Sequence, residues 1–467
     1  MKFYMSISKR KTYELEIIDL AFGGKGLAKP DGFPVFIDRC VPGDTVFVKI
    51  TKKKKSWAEG KLIQILKPSE LRQKGRCQYC NFCGGCKWQE LPYDLQLEYK
   101  KRHVTESIEH IGRLKGVPVM DVIPSDPIFG YRNKMEFSCS SQRWLMPEEL
   151  ADETIKKGFG IGLHVPGTFD KVIDIKQCEI MPALGNEILD DVRTFIKESG
   201  LPAYHLRSHE GFWRFLMLRH SVAHDQWMVN IVTRDKNLDV VSALGKLLAE
   251  KYPNIHSILN NITDSLSGVA RDKEEILIHG ENFITEKLGD FSFKISANSF
   301  FQTNTRACKK LYAKVAQYAD LKGQETVLDL YSGTGTIPIW LSRDAKQVYG
   351  IEIVTSAVID ARKNAQLNGI ENCEFYEGDI KDVLPNLAQI PDVVIIDPPR
   401  VGMHKDVVSQ VLAIHAPKIV YVSCNPATLA RDLEMLSTRY EVVEITPVDM
   451  FPHTYHIESV ALLKRKL

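Results

Sequence analysis

Ile395-Ile396-Asp397-Pro398-Pro399-Arg400, followed by Tyr421-Val422-Ser423-Cys424-Asn425-Pro426, decides how this chain folds. Each is an apolar run that ends in a polar turn stiffened by proline. Val393-Val394-Ile395-Ile396 and Ile419-Val420-Tyr421-Val422 lack polar alternation, which predicts strands buried on both faces, as in a parallel sheet. In open α/β sheets, ligands lie beyond the carboxyl ends of the strands. Asp397 and Cys424 are therefore expected at one crevice. An acid and a thiol held on rigid strand ends suit covalent chemistry on a bound substrate.

Upstream, a strand–helix alternation begins near Asp290 and continues this pattern. Glu325 to Leu330 predicts the first strand and leads into Tyr331-Ser332-Gly333-Thr334-Gly335-Thr336 and a helix. Position 338 is Pro, so the third glycine of a dinucleotide fingerprint is missing. A second strand, Val348 to Ile351, ends at Glu352, where a carboxylate can hold both hydroxyls of a ribose. A third, Glu374-Phe375-Tyr376, ends at Gly378-Asp379, placed to meet an adenine. Acidic groups at three strand ends offer nothing basic to a pyrophosphate. They favour a nucleoside with a cationic or neutral tail, which S-adenosyl-L-methionine fits, over a dinucleotide. Downstream, Phe451-Pro452-His453-Thr454-Tyr455-His456-Ile457-Glu458 precedes a last apolar strand, and Glu458 with Cys424 makes a base and a nucleophile.

The 467 residues allow roughly three domains. A hydrophobic share of 44% and a charged share of 26% fit an ordinary folded protein rather than a disordered or fibrous one. The net charge of +2 decides nothing about nucleic acid, since local patches such as Lys52-Lys53-Lys54-Lys55 matter more than the sum. No apolar run is long enough to span a membrane and the N-terminus lacks the apolar core of a secretion signal, so a cytoplasmic protein is expected. Its ten cysteines are then expected as thiols or metal ligands.

From Lys11 to about Lys67, alternating Tyr13, Leu15, Ile17 and Val46, Val48, Ile50, with glycine-rich turns between, predict a small OB-like barrel with basic edges suited to RNA backbone. Its turn Phe22-Gly23-Gly24-Lys25-Gly26 is a poor phosphate cradle, because no helix follows it. The segment resembles the TRAM RNA-binding module. Next come Cys77, Cys80, Cys83 and Cys86, each separated from the next by two residues. So dense a run favours a [4Fe–4S] cluster over zinc. Spacing alone does not say which four thiolates bind, and the distant Cys178 is also a candidate. Leu91 to Arg113 predicts a helix with Leu97, Val104, Ile108 and Ile111 on one face and the charges of Lys100, Lys101 and Arg102 elsewhere. Tyr131-Arg132-Asn133-Lys134 combines a ring with basic groups and is a candidate for stacking on RNA.

A pyrimidine carbon 5 is a poor nucleophile. A thiolate added at carbon 6 turns the ring into an enolate that attacks a methyl sulfonium; a base then removes the proton from carbon 5 and frees the thiol. The target base must leave its helix to be reached. The chain resembles the RNA (uracil-5-)-methyltransferase family, which makes 5-methyluridine in ribosomal and transfer RNA. The resemblance spans nearly the whole chain. It rests on the cysteine run, Phe300-Phe301-Gln302-Thr303-Asn304, Asp329 to Gly335, Asp397 to Arg400, Ser423 to Pro426 and Phe451 to Glu458. It implies a doubly wound Rossmann-like methyltransferase domain (289–467), an N-terminal TRAM barrel (5–70) and a β-rich iron–sulfur central domain (71–288), with the helix near 91–115 packed on the catalytic domain. It implies Cys424 as nucleophile and Glu458 as base. Gln302, Tyr331, Glu352, Asp379 and Asp397 would line the S-adenosylmethionine site, and Cys77, Cys83, Cys86 and Cys178 would hold the cluster. Cys80 is an additional cysteine inside the family's five-residue gap, and Thr336, where some relatives carry Asn, receives no cofactor contact. The implied partner is RNA, 23S ribosomal RNA first and transfer RNA uridine 54 second, and the chain is expected to act as a monomer. A methyltransferase for an exocyclic amine would need no cysteine, and an iron–sulfur RNA-binding protein would transfer no methyl group.

Overall fold

The alternation read in the first seventy residues builds one curved sheet. In the computed structural model, which describes residues 6–265, 274–387 and 390–466, Leu15, Ile17, Val35, Ile37, Val46, Val48 and Ile50 share a single apolar core. Six strands between residues 12 and 67 wrap around it. The turn at Phe22–Gly26 joins two strands, so the chain has no phosphate cradle there. Buried Asp44 accepts the N–H groups of Val41 at 2.7 Å and Ser69 at 2.9 Å and pairs with Arg72 at 2.6 Å, which fixes how the barrel hands over to the cysteine loop.

The central unit, among the described residues, is a seven-stranded sheet between residues 134 and 280. The helices Ala183–Glu198 and Leu238–Lys251 cover one face and bury Ile188, Leu189, Val192, Leu244 and Leu248 against it. A hairpin, Phe283–Leu288 with Phe291–Ser296, follows. The expected boundary between 288 and 289 falls in the turn of this hairpin. Both of its strands pack into the core of the C-terminal unit through Ile284, Leu288, Phe293 and Ile295.

The C-terminal sheet contains β1 (Thr326–Leu330), β2 (Gln347–Glu352), β3 (Cys373–Glu377), β4 (Val393–Ile396), β5 (Lys418–Ser423), β6 (Tyr440–Val448) and β7 (Glu458–Arg465), in the order β3-β2-β1-β4-β5-β7-β6. The first five run parallel, and β7 inserts antiparallel between β5 and β6. The unbroken apolar runs now have a physical reason. Val393 and Ile395 point into one core and Val394 and Ile396 into another, because successive strand side chains alternate between faces that are both covered.

The helix α1 (Tyr93–His110) closes one of those faces although it lies far upstream. Val104 and Ile108 are buried in the same core as Leu429, Ala430 and Leu433 of a later helix, Pro426–Leu436. Just beyond α1 the chain approaches that helix so closely that a Cβ on Gly112 would stand 2.9 Å from the Ala430 carbonyl oxygen. Two expectations fail at this junction. Lys100 is not a surface charge; its side chain is wholly buried against Asp449. Tyr131 is not available to stack on RNA, for it is buried with its hydroxyl donating to the Pro452 carbonyl at 3.1 Å. In both cases a distant partner covers a residue whose own neighbourhood looks exposed.

Candidate active site

The two turns quoted at the outset come together through strand register. β5 pairs antiparallel with β7, Ser423 opposite Ser459, so the next residues along, Cys424 and Glu458, lie at the same end of the sheet, close enough for the Glu458 charge to act on the thiol. β4 lies on the other side of β5 and ends at Asp397, whose N–H donates to the Leu330 carbonyl at 3.3 Å. Asn425 caps the helix Pro426–Leu436 by accepting the Ala427 N–H at 3.0 Å, with Pro426 in the first turn where its missing N–H costs nothing. The Asn425 side-chain amide and the Thr428 hydroxyl both donate to the Arg400 carbonyl, at 3.1 Å and 3.3 Å. The Asp-Pro-Pro-Arg and Ser-Cys-Asn-Pro turns are thus one rigid rim.

Burial governs the acidities on that rim. The Glu458 carboxyl is pushed up to about 8 by loss of water and by the nearby Asp397 charge, with Arg400 opposing. Asp397 is raised to about 7 by burial. The Cys424 thiol is raised to about 11, by burial first and then by the charges of Glu458 and Asp397; Arg400 again pulls the other way. Such groups, held poised by desolvation and by each other, mark functional sites. Behind them Asp329 is buried, finds no hydrogen-bond partner among the described residues, and is raised well above the ordinary carboxylate range by burial and by Asp397 and Glu352.

A cavity of about 410 Å³ opens beyond the ends of β1, β2 and β3, within the range of small-molecule sites. Tyr331, Glu352 and Asp379 line it, together with Ile353, Met403 and Arg431. Tyr331 holds a positive φ of 67°, a conformation costly for a bulky residue, which turns the chain at the strand end. Gly335 must be glycine: its φ is 77°, and a Cβ there would lie 2.9 Å from both Ala361 and Phe375. Glu352 accepts N–H groups from Gly333 at 3.0 Å and Val354 at 2.8 Å, so its carboxylate is already oriented toward the glycine turn. Asp379 caps the next short helix by accepting the Lys381 N–H at 3.1 Å. Gln302 and Asp397 lie outside this lining. The Gln302 carbonyl accepts the Asn133 amide at 3.0 Å, and the adjoining Phe300 carbonyl accepts the Thr334 hydroxyl at 3.2 Å, which ties that segment to the glycine turn. Sequence reasoning assigned no role to Arg400, Met403 or Arg431. Arg400 could have been found, since it is the one cation within the first of the quoted turns.

A second cavity, small and almost wholly apolar, is lined by Cys77, Cys80, Cys83, Cys86 and Cys178 with Leu163, Ile175 and Ile180. The chain is folded around it by Gly84 N–H to the His164 carbonyl at 2.9 Å, Cys77 N–H to Gln89 Oε1 at 2.9 Å and Cys178 N–H to Asn186 Oδ1 at 2.8 Å. Burial pushes the Cys80, Cys83 and Cys86 thiols up to about 12 and Cys178 to about 11. Among the described residues no three His, Cys, Asp or Glu groups converge as ligands of a single metal ion. The five thiols nevertheless line one apolar cavity, and thiolates are the donors that an iron–sulfur group would take.

The sequence signature described as tRNA (Uracil-5-)-methyltransferase matches residues 218–378 and 386–466, more than half of the chain, and the TRAM domain signature matches residues 8–63. An uncharacterized RNA methyltransferase of Porphyromonas gingivalis is 42% identical, over 97% of this chain and 99% of that one. Another from Chlorobaculum tepidum is also 42% identical, over 97% of this chain and 96% of that one. Among solved structures, the Pyrococcus abyssi tRNA (uracil-54, C5)-methyltransferase in complex with S-adenosyl-L-homocysteine is similar with a TM-score of 0.76 and 31% identity, covering 97% of this chain and 100% of that chain. No helix among the described residues is long and apolar enough to cross a membrane.

Proposed function

The chain belongs to the tRNA (uracil-5-)-methyltransferase family and is an S-adenosylmethionine-dependent RNA (uracil-C5)-methyltransferase with an N-terminal TRAM domain, and from that premise we propose that it methylates carbon 5 of one uridine through a covalent bond to Cys424. Support comes from the β5–β7 register, which ends with Ser423 opposite Ser459 and so brings Cys424 and Glu458 to the same end of the sheet.

The bound S-adenosylmethionine supplies an electrophilic methyl group; Tyr331, Glu352 and Asp379 would hold its nucleoside end. Gln302 would complete the cofactor site, and Asp397, at the end of β4, would hold the cofactor or the uracil edge. The Cys424 sulfur adds to carbon 6, and the electrons of the ring double bond move toward the carbonyl at carbon 4. Carbon 5 takes the methyl group. Glu458 then removes the proton from carbon 5, the bond from sulfur to carbon 6 breaks, and the double bond returns. Burial raises the Cys424 thiol to about 11 and Arg400 pulls it back, so Arg400 is the cation that favours the thiolate. RNA carrying 5-fluorouridine tests the scheme, since fluorine cannot leave as a proton. The expected product is a denaturant-stable complex that maps to Cys424 and is absent from Cys424→Ala; methylation by Cys424→Ala would favour an amine-directed enzyme instead.

We infer 23S ribosomal RNA as the first target, because the resemblance that joins barrel and cysteine run points there. A second reading, uridine 54 of transfer RNA, is supported by the activity named for the Pyrococcus abyssi protein. Mapping 5-methyluridine in ribosomal and transfer RNA from cells lacking this protein decides between them. We further propose that Cys77, Cys83, Cys86 and Cys178 hold a structural [4Fe–4S] cluster. Support comes from the shared cavity, in which Cys178 ties a distant segment to the loop 77–86. Action as a monomer in the cytoplasm, where thiols stay reduced, completes the reading.

A further inference from the structure

Nine residues, 449–457, connect β6 to β7 and deliver Glu458 to the rim. Because Val448 pairs with Glu458, Asp449 is the foot of this loop, one residue beyond that pair. Asp449 Oδ1 accepts from Lys100 Nζ at 2.6 Å and from the Phe451 N–H at 3.0 Å, and its Oδ2 accepts from the Tyr93 hydroxyl at 2.8 Å. Lys100 Nζ also donates to the Phe451 carbonyl at 3.1 Å. Four residues before Lys100, Gln96 grips the crown of the loop. Its Oε1 accepts the His453 N–H at 2.8 Å and its Nε2 lies 3.2 Å from His453 Nδ1. His453 holds a positive φ of 66° and stacks on Phe129 at 4.2 Å. Its carbonyl accepts the N–H groups of Lys87 at 2.8 Å and Trp88 at 3.0 Å, directly after the cysteine run.

We propose that Lys100 and Gln96 of α1 are positioning residues for the general base: they clamp the foot and the crown of the loop so that Glu458 is held at the same end of the sheet as Cys424. The proposal rests on the reading of Glu458 given above. A buried ion pair adds little net stability over apolar residues of the same size, and its best-attested use is to fix one register. The Lys100–Asp449 pair is wholly buried, on a helix about 350 positions away in sequence from the loop it holds. Lys100 does not act through its field on the base, because burial, Asp397 and Arg400 are what set the Glu458 acidity. What remains for it is geometry, and a misplacement of about 1 Å costs roughly 100-fold in rate.

The test uses Gln96→Leu, which removes no charge, and the double variant Lys100→Met/Asp449→Leu, which leaves no unpaired charge. Both are compared with the full-length wild-type enzyme on uridine-containing RNA. If the clamp positions the base, turnover falls about 10- to 100-fold in either variant. KM for RNA and for S-adenosylmethionine stays within about twofold, and a denaturant-stable, already methylated RNA–protein adduct accumulates, because only the elimination step is slowed. Turnover within twofold of wild type in Gln96→Leu overturns the proposal. So does a loss of turnover with no accumulated adduct, whether from poor folding or from a rise in KM. A wild-type enzyme that gives no adduct with 5-fluorouridine RNA overturns the catalytic reading itself and is scored separately from the clamp.

Discussion

The charge of Glu458 makes the neighbouring Cys424 thiol harder to ionise, and this has measurable consequences. The charge of Glu458 is the second-largest cause of the raised thiol, after burial. Glu458→Gln should therefore lower the pH midpoint for iodoacetamide alkylation of Cys424 from about 11, whereas Arg400→Ala should raise it; mass spectrometry of the peptide containing position 424 reads both. In catalysis, the same glutamine variant should stall with RNA attached, because nothing removes the proton. Stability carries a second signature. A glutamate near 4.5 in the unfolded chain and about 8 when folded favours the fold fully below about 4.5 and loses that advantage as pH rises through 8. The melting temperature of Glu458→Gln should thus exceed that of wild type at pH 9 by more than it does at pH 5. His453 has the opposite sign. Burial lowers it to about 4 from an ordinary 6.5, so its contribution is complete above pH 6.5 and fades as pH falls toward 4. At this scale the sequence was informative about position: it puts Asp397, Cys424 and Glu458 at strand ends, where the structure has them. Asp329 could not, since nothing local tells a strand aspartate on the surface from one sealed among other acids.

Helix α1 was legible as a helix, but its charged stripe was misread. Periodicity shows which residues can share a face; it does not show that a lysine on that face meets an aspartate some 350 positions on. Ile108 is almost fully buried between α1 and the catalytic sheet, so Ile108→Ala should cost about 2–5 kcal/mol, read by chemical denaturation. The cysteine loop makes a sharper prediction. If Cys77, Cys83, Cys86 and Cys178 are the ligands, Cys178→Ser should lose iron and the visible absorbance of the cluster, while Cys80→Ser keeps both. The reverse result would make Cys80 the fourth ligand. The strand runs of the catalytic sheet read correctly because both faces are covered, which removes the polar alternation that would otherwise mark them.

Across the whole molecule, the barrel, the cysteine loop and α1 converge on the loop that carries Glu458. Trp88, Leu91 and Tyr99 form a small core with Leu20 of the barrel and Tyr455 of that loop, and Phe22 packs edge-on against Tyr455 at 6.0 Å. One exposed stretch of the barrel carries the run Lys52-Lys53-Lys54-Lys55. Lys52 and Lys53 lie over the rings of Trp57 and Phe33, whereas Lys54 and Lys55 are exposed without such a ring. Lys54→Ala/Lys55→Ala should weaken RNA binding and reduce the salt dependence of log affinity by about 0.7 for each phosphate no longer neutralised, with turnover at saturating RNA unchanged. The order of motifs along the chain was enough to determine a parallel nucleoside-binding sheet, a small barrel before it, and a thiol and a carboxylate at strand ends, because strands, turns and ligand-binding strand ends leave local signatures. Only the folded chain decided that Tyr131 is sealed away from RNA, that Lys100 is a core residue, and that an N-terminal helix holds a C-terminal loop. Those facts depend on which surfaces meet across hundreds of residues, and hydrophobic burial is blind to sequence separation.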